Sequence, residues 1–302
     1  MTEFHFVSII PVEKGWSGDK KFEVTKEDGS RYLLRVSPAE RYERAKATFQ
    51  AMERVAALSV PMSRPLEFGL CEEGACTLQT WIDGADAEEA IPLLPEREQY
   101  ELGVQSGEIL RKIHSIPAPD NQEDWYARFN RKADRKIQMY RECPLKINGG
   151  EALIRYIEEN RELLQNRPQC FQHGDYHIGN MMLQNGELFI IDFDRFDYGD
   201  PWEEFNRIVW CGQASPPFAA GQLDGYFGGE PPMAFFRLLC LYIASNTLSS
   251  VPWAIPFGQK EVDTMMKQAE DVLSWFDNMD NPVPTWYRQW GGKYEPVQRV
   301  KL

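Results

Sequence analysis

Phe171-Gln-His-Gly-Asp-Tyr-His-Ile-Gly-Asn180, followed by Ile190-Ile-Asp-Phe-Asp194, sets a carboxylate, an amide and a second carboxylate within a short stretch of chain. Between them lies Asn185-Gly186, the strongest short hairpin signal in the sequence, flanked by strand-like Met181 to Gln184 and Glu187 to Asp192. A tight hairpin returns the chain to its starting end, so Asp175, Asn180 and Asp192 are expected together. Phosphoryl transfer needs a group that orients and deprotonates an acceptor hydroxyl, and oxygen ligands that hold Mg²⁺ against nucleotide phosphates. These three side chains are of the right types.

Working outward, the first 80 residues read mainly as strands. Phe4 to Ile10, Lys21 to Lys26 and Arg31 to Val36 alternate suitably, the last two joined through Asp28-Gly29. Ala45, Phe49, Met52 and Ala56 recur at helical spacing before Pro61, and the strand-like runs Pro65 to Leu70 and Ala75 to Ile82 follow. After Asp83-Gly84 the chain turns helical. Helices are predicted around Leu102 to Ile113, Ile154 to Leu164, Glu203 to Trp210, Phe235 to Ser249 and Glu261 to Phe276.

The pattern His-Gly-Asp-x-His-x-x-Asn, then Ile-Asp-Phe-Asp, resembles the catalytic and metal-binding loops of aminoglycoside phosphotransferases and their small-molecule kinase relatives, including macrolide and choline kinases. The resemblance implies an α+β, bilobal protein-kinase-like fold: a small antiparallel β lobe with one helix over residues 1–82, ending in a hinge, and a larger, mainly helical lobe over 83–302 with the catalytic loop and acceptor site. It also implies that Asp175 is catalytic, that Asn180 and Asp192 bind magnesium, and that ATP or GTP is the phosphoryl donor. His173 then supports the loop, and Asp194 either supports the metal site or contacts substrate.

The N-terminal region fits the same resemblance. In Glu13-Lys-Gly-Trp-Ser-Gly-Asp-Lys-Lys21, Gly15 and Gly18 permit a backbone close to phosphates, and Ser17 adds a donor. Tyr32 to Val36 occupies the place of the strand that carries a phosphate-contacting lysine in kinase-like folds, but here the residue is Arg35. Its expected partner is Glu43, with Glu40 as alternative. The end of the strand Ala75 to Ile82 resembles the hinge that offers backbone groups to the purine, with Gln79, Trp81 and Ile82 among the candidates. Relatives carry an aspartate shortly after a Gly-Asp-Pro-like turn as an anchor of the catalytic loop, and here that place is taken by Glu204. Asp200 reads as the N-cap of a helix beginning at Pro201.

Forty-six acidic against 33 basic side chains give a net charge of -13. That charge opposes nucleic acid and anionic membranes and suits a cationic acceptor, for which Asp197, Glu203 and Glu230 are candidate contacts. An aminoglycoside or similar antibiotic is the first expectation, with macrolides, choline, homoserine and sugars as alternatives. The rivals from other classes are a catalytically silent nucleotide-binding module, favoured by Arg35 and Glu204, and a metal hydrolase built on His173, Asp175, His177 and Asp192. The six scattered cysteines read as reduced, mostly buried thiols. Without an apparent signal peptide or membrane-length apolar run, a cytoplasmic monomer is the default.

Overall fold

In the computed structural model, residues 5–13 and 18–294 are described. In chain order the elements are β1 (Ser8–Pro11), β2 (Lys20–Thr25), β3 (Arg31–Pro38), α1 (Tyr42–Ala56), β4 (Pro65–Cys71), β5 (Gly74–Thr80), β6 (Ala85–Asp86) and the one-turn α2 (Ala87–Ala90). They continue with α3 (Glu96–Ile113), α4 (Trp125–Glu142), α5 (Gly150–Glu159), β7 (Cys170–Gln172), β8 (Met181–Gln184), β9 (Glu187–Ile190) and β10 (Asp197–Gly199). Last come α6 (Ile208–Ala214), α7 (Pro216–Phe227), α8 (Met233–Ala254), α9 (Gln259–Trp275) and α10 (Thr285–Trp290).

The chain divides into two units. The first holds the residues up to Ala87 together with Asn180–Phe196; the second holds Glu88–Gly179 and the chain from Asp197 onward. The expected boundary at residue 82 therefore moves, and the Asn185-Gly186 hairpin leaves the helical part. Strand pairing is the reason: β8 pairs with β6, Ile190 bridges Met62, and the Ile190 amide donates to the Pro61 carbonyl at 2.9 Å.

The first unit is built on an antiparallel sheet of order β1-β2-β3-β5-β4. Side chains alternate between its faces with period two. One row, Phe22, Leu34 and Leu78, enters a core completed by Val24, Val36 and Cys76. The neighbouring row, Lys21, Arg35 and Thr77, points to the opposite face. Helix α1 packs on β4 and β5 through Ala45, Thr48, Ala51, Met52 and Val55. Asn185 and Gly186 both adopt positive φ, 52° and 78°, as the tight hairpin requires. Two of the six cysteines depart from the expected thiols: Cys71 and Cys76, on the paired strands β4 and β5 with Cα atoms 6.1 Å apart, form a disulfide. The turn folds a five-residue separation back on itself, which brings the sulfurs together.

The second unit is helical around α8. One helical stretch among the described residues, Met233–Phe257, is long and apolar enough to cross a membrane, and 67% of its apolar window is buried within the protein. It packs against α4, α5 and α9. Helix α7 is apolar on nearly all sides and lies against α3 at backbone distance. A Cβ at Gly103 would stand 2.2 Å from the Phe218 carbonyl oxygen, and one at Gly221 would stand 2.1 Å from that of Tyr100. Gly107 and Gly225 make equally close approaches one turn along. No side chain fits there. Gly221→Val should lower unfolding free energy by about 3 kcal/mol or more, the upper range for overpacking, measured by urea denaturation.

Candidate active site

The loop that carries Asp175 lies in the second unit and is fastened on several sides. Gly174 turns with φ 86°, and its amide donates to Glu204 Oε1 at 2.9 Å. The Tyr176 amide reaches the same carboxylate at 3.4 Å. Glu204, 1% exposed, thus holds the loop from below, as the resemblance implies for that position. The Asp175 and Gly179 amides donate to Nδ1 of His173 and of His177, at 3.3 and 3.1 Å. Both imidazoles therefore have an Nδ1 lone pair engaged in loop structure, and His173 is fully buried. The Tyr176 hydroxyl donates to the Ser106 carbonyl at 2.8 Å, and burial raises its pKa well above the ordinary tyrosine value. On the open side of the loop, Arg207 Nε stands 3.2 Å from Asp175 Oδ1 and His177 Nε2 stands 3.8 Å from it.

Asp200 is fully buried. It accepts two bonds from Arg167 at 2.6 and 3.0 Å, one from the Tyr242 hydroxyl at 2.6 Å and one from the Trp202 amide at 2.9 Å. The expected helix beginning at Pro201 is not formed: the helical segment starts at Glu203 with Trp202 at its N-cap position and no side-chain cap bond, so Asp200 closes the turn before it through the Trp202 amide and is held by a buried ion pair.

Asn180 and Asp192 lie in the first unit. The hairpin pairs Met181 with Ile190, and the Ile191 amide donates to the Asn180 carbonyl at 3.1 Å, so Asn180 lies beside the residue that precedes Asp192. Asp192 has φ 66°, which turns its carboxylate out of the strand direction. An amide oxygen and a carboxylate are hard donors. Mg²⁺ typically takes one or two protein ligands and fills its octahedron with phosphate and water oxygens, so this pair fits that ion. Among the described residues no group of three or more His, Cys, Asp or Glu is placed to hold a metal.

Arg35 does not meet the expected glutamate. Glu43 and Glu40 are exposed and form no ion pair with it, because α1 buries Ala45 and Thr48 and turns Glu43 outward. Its guanidinium instead bonds Asp19 and Asp194 and approaches Asp192 Oδ1 at 3.5 Å. Asp19 is further paired with Arg41 at 2.7 Å, and the Asp194 carbonyl accepts from Arg44. Asp194 is therefore tied to the arginine side of the sheet.

Directly opposite Arg35 in the β2–β3 register stands Lys21, which sequence reading missed. Burial lowers its pKa, with Asp192 and Asp19 pulling it upward and Arg35 pushing it further down. Counting back from Asp28-Gly29 through the hairpin would have paired the two, since Thr25 lies across from Arg31.

Of the other candidates, Gln79 has its backbone in the ladder with Leu33 and Pro65, and its side-chain oxygen accepts from Ser63 at 3.2 Å. That makes it part of the sheet. Trp81 and Ile82 lie just beyond the end of β5; Trp81 Nε1 is buried without a hydrogen-bond partner among the described residues, and Arg31 covers the ring at 5.1 Å. Gly15 and Ser17 lie outside the described residues, while Gly18 has open space where a Cβ would be.

The phosphotransferase enzyme family model matches residues 8–236, more than half of the chain. The chain belongs to that family. The enzyme class that follows is a phosphotransferase with a small-molecule hydroxyl as acceptor, and the fold is protein-kinase-like. No curated protein matches by sequence. Among solved structures, a choline/ethanolamine kinase family protein from Mesorhizobium loti superposes with a TM-score of 0.66 at 18% identity, covering 92% of each chain. A thermostable mutant of aminoglycoside phosphotransferase APH(4)-Ia gives 0.63 at 16%, covering 89% of this chain and 94% of that one. Amicoumacin kinase hAmiN, solved in complex with AMP-PNP, Ca²⁺ and Ami, gives 0.62 at 14%, covering 92% of this chain and 91% of that one.

Proposed function

We propose that this phosphotransferase moves the γ-phosphoryl group of ATP or GTP onto a small-molecule hydroxyl, with Asp175 as the catalytic residue. The observation that carries the reading is the fastening of the Asp175 loop: four backbone amides, of Gly174, Asp175, Tyr176 and Gly179, donate to the side chains of Glu204, His173 and His177. Preorganisation of this kind is what positioning catalysis requires. Asp175 accepts the acceptor proton as the oxygen attacks phosphorus. The new O–P bond forms as the bond to the β-phosphate oxygen breaks, and a nucleoside diphosphate leaves. Bound at Asn180 and Asp192, Mg²⁺ would neutralise charge on the donor phosphates.

Arg35 and Lys21 divide the work of the expected lysine. Arg35 neutralises Asp19, Asp192 and Asp194, whereas Lys21 forms no ion pair among the described residues and is the cation left to meet phosphate. Lys21→Met should raise the KM for nucleotide about tenfold, the loss of one charge-assisted bond, with the acceptor KM little changed; initial-rate kinetics read both.

The family test is nucleotide consumption with ATP and GTP against a mixed panel of hydroxyl compounds. Acceptor-stimulated diphosphate release supports the reading. Binding of Mg-nucleotide without release in any mixture would favour the silent module.

A cationic antibiotic as acceptor has the company of the structural neighbours in its favour. The carboxylates expected to hold its ammonium groups are engaged elsewhere, Asp197 by Arg128 and Glu203 by Lys132, while Glu230 sits exposed where its charge acts on Tyr287.

A further inference from the structure

Helix α4 carries Arg128, Lys132 and Lys136 four residues apart, one above another on a single face. The first two have carboxylate partners. Arg128 bonds Asp197, and Lys132 Nζ donates to Glu203 Oε1 at 2.8 Å. Glu203 also accepts from Gln172 Nε2 at 3.3 Å, so its second oxygen is occupied. Burial works against its charge, but Lys132, Lys136 and Arg207 outweigh burial and hold its pKa below the ordinary carboxylate value.

The third position has no such partner. Lys136 makes no hydrogen bond or ion pair among the described residues, and part of its side chain remains accessible. The charged groups that act on it are Lys132, Glu203, Arg207 and Arg135: three cations against one carboxylate that is already satisfied. Burial first and Lys132 next push its pKa down to about 7. Arg207, one of those neighbours, is the residue that stands 3.2 Å from Asp175. A protein of net charge -13 thus places on α4 a lysine with no ion pair among the described residues, within the field of Arg207, whose Nε is paired with the carboxylate that receives the acceptor proton. Burying cations together is costly unless an anion joins them.

We propose that the acceptor carries an anionic group, a carboxylate or a phosphate, which seats against Lys136 and Arg207 while the hydroxyl to be phosphorylated faces Asp175. The inference rests on the phosphotransferase reading and names the charge of its acceptor. Bound anion raises the Lys136 pKa, so acceptor affinity is full below about pH 7 and declines as pH rises above it and the free-enzyme lysine loses its proton. Glu203, its pKa held below the ordinary carboxylate value, stays ionised through that range.

The test uses ATP turnover and product mass with four acceptor classes: hydroxy acids (glycerate, gluconate), phosphorylated polyols (glycerol 3-phosphate, ribose 5-phosphate), neutral polyols (glycerol, ribitol) and kanamycin. Product is expected from the hydroxy acids or the phosphorylated polyols, and which of the two arms responds identifies the anion. Lys136→Met should raise the KM for that acceptor about tenfold or more with kcat changed far less, while Lys136→Arg keeps KM low and removes its rise above pH 7. Lys136→Met should also raise Tm at pH 6 by roughly 3 °C, because a crowded charge is gone. Preference for ribitol, glycerol or kanamycin, or an anionic-acceptor KM unmoved by Lys136→Met, overturns the inference and leaves phosphotransfer standing. Absence of phosphorylated product from all four classes counts against both.

Discussion

Asp175→Asn is expected to lower kcat about 10³-fold, within the range of 10² to 10⁴ that a positioned proton acceptor contributes, while nucleotide affinity stays within about twofold. The substitution is nearly isosteric and preserves an oxygen facing Arg207, so the loop held by Glu204, His173 and Ser106 has no cause to move. What is lost is the capacity to take the acceptor proton. A structural role for Asp175 would show differently, with Tm falling and nucleotide affinity falling alongside kcat. Stopped-assay kinetics together with nucleotide titration of the same variant separate the two outcomes.

Arg35→Ala is expected to be the most destabilising polar substitution in the first unit, at about 3 to 5 kcal/mol, the cost of removing one partner from a buried ionic cluster. Arg35 and Asp19 have side chains 9% and 2% exposed, and Asp192 and Asp194 share the same guanidinium. Without it, Asp19, Asp192 and Asp194 lose the guanidinium they share, and Asp19 keeps its ion pair with Arg41. At roughly 2 °C or more per kcal/mol for a chain of this size, Tm should fall by about 6 °C or more. Millimolar Mg²⁺ should restore part of that loss by supplying positive charge at Asp192, whereas Arg35→Lys should fall between, since one ammonium cannot fork across three acceptors. An unchanged Tm in Arg35→Ala would show that the cluster contributes nothing to folding.

The sheet and its turns were legible because their signals are local. Asn185-Gly186 and Asp28-Gly29 specify hairpins through backbone conformation, and Phe22, Val24, Leu34 and Val36 alternate as a half-buried surface must. The candidate loop around Asp175 stood out in the sequence for another reason: its residue types are few and their spacing is set by one turn. Helix α4 escaped notice although Trp125, Phe129, Ala133, Ile137 and Tyr140 form a regular buried stripe, because dense Arg and Lys between them mask the period. Helix α7 escaped for the opposite reason. Its glycines, poor helix formers alone, are where they are because α3 approaches to backbone distance, a tertiary demand that no window of sequence reveals.

Charge pairing was the least legible feature. The acidic surplus suggested a cationic acceptor, yet Asp197 and Glu203 are consumed by Arg128 and Lys132 of α4, and Lys136 on the same helix makes no ion pair among the described residues. Composition counts charges without their partners. Likewise Arg35 looked like a lysine substitute until its three aspartates and its cross-strand neighbour Lys21 were placed.

The central claim is that this chain transfers phosphate to an acceptor through Asp175, and the mass of the acceptor after incubation with Mg-nucleotide tests it most directly. The account predicts an acceptor bearing one added phosphate with the wild-type chain and essentially none in the same time with Asp175→Asn. Equal phosphorylation by both proteins, or nucleotide turnover with no adduct on any acceptor, would contradict it.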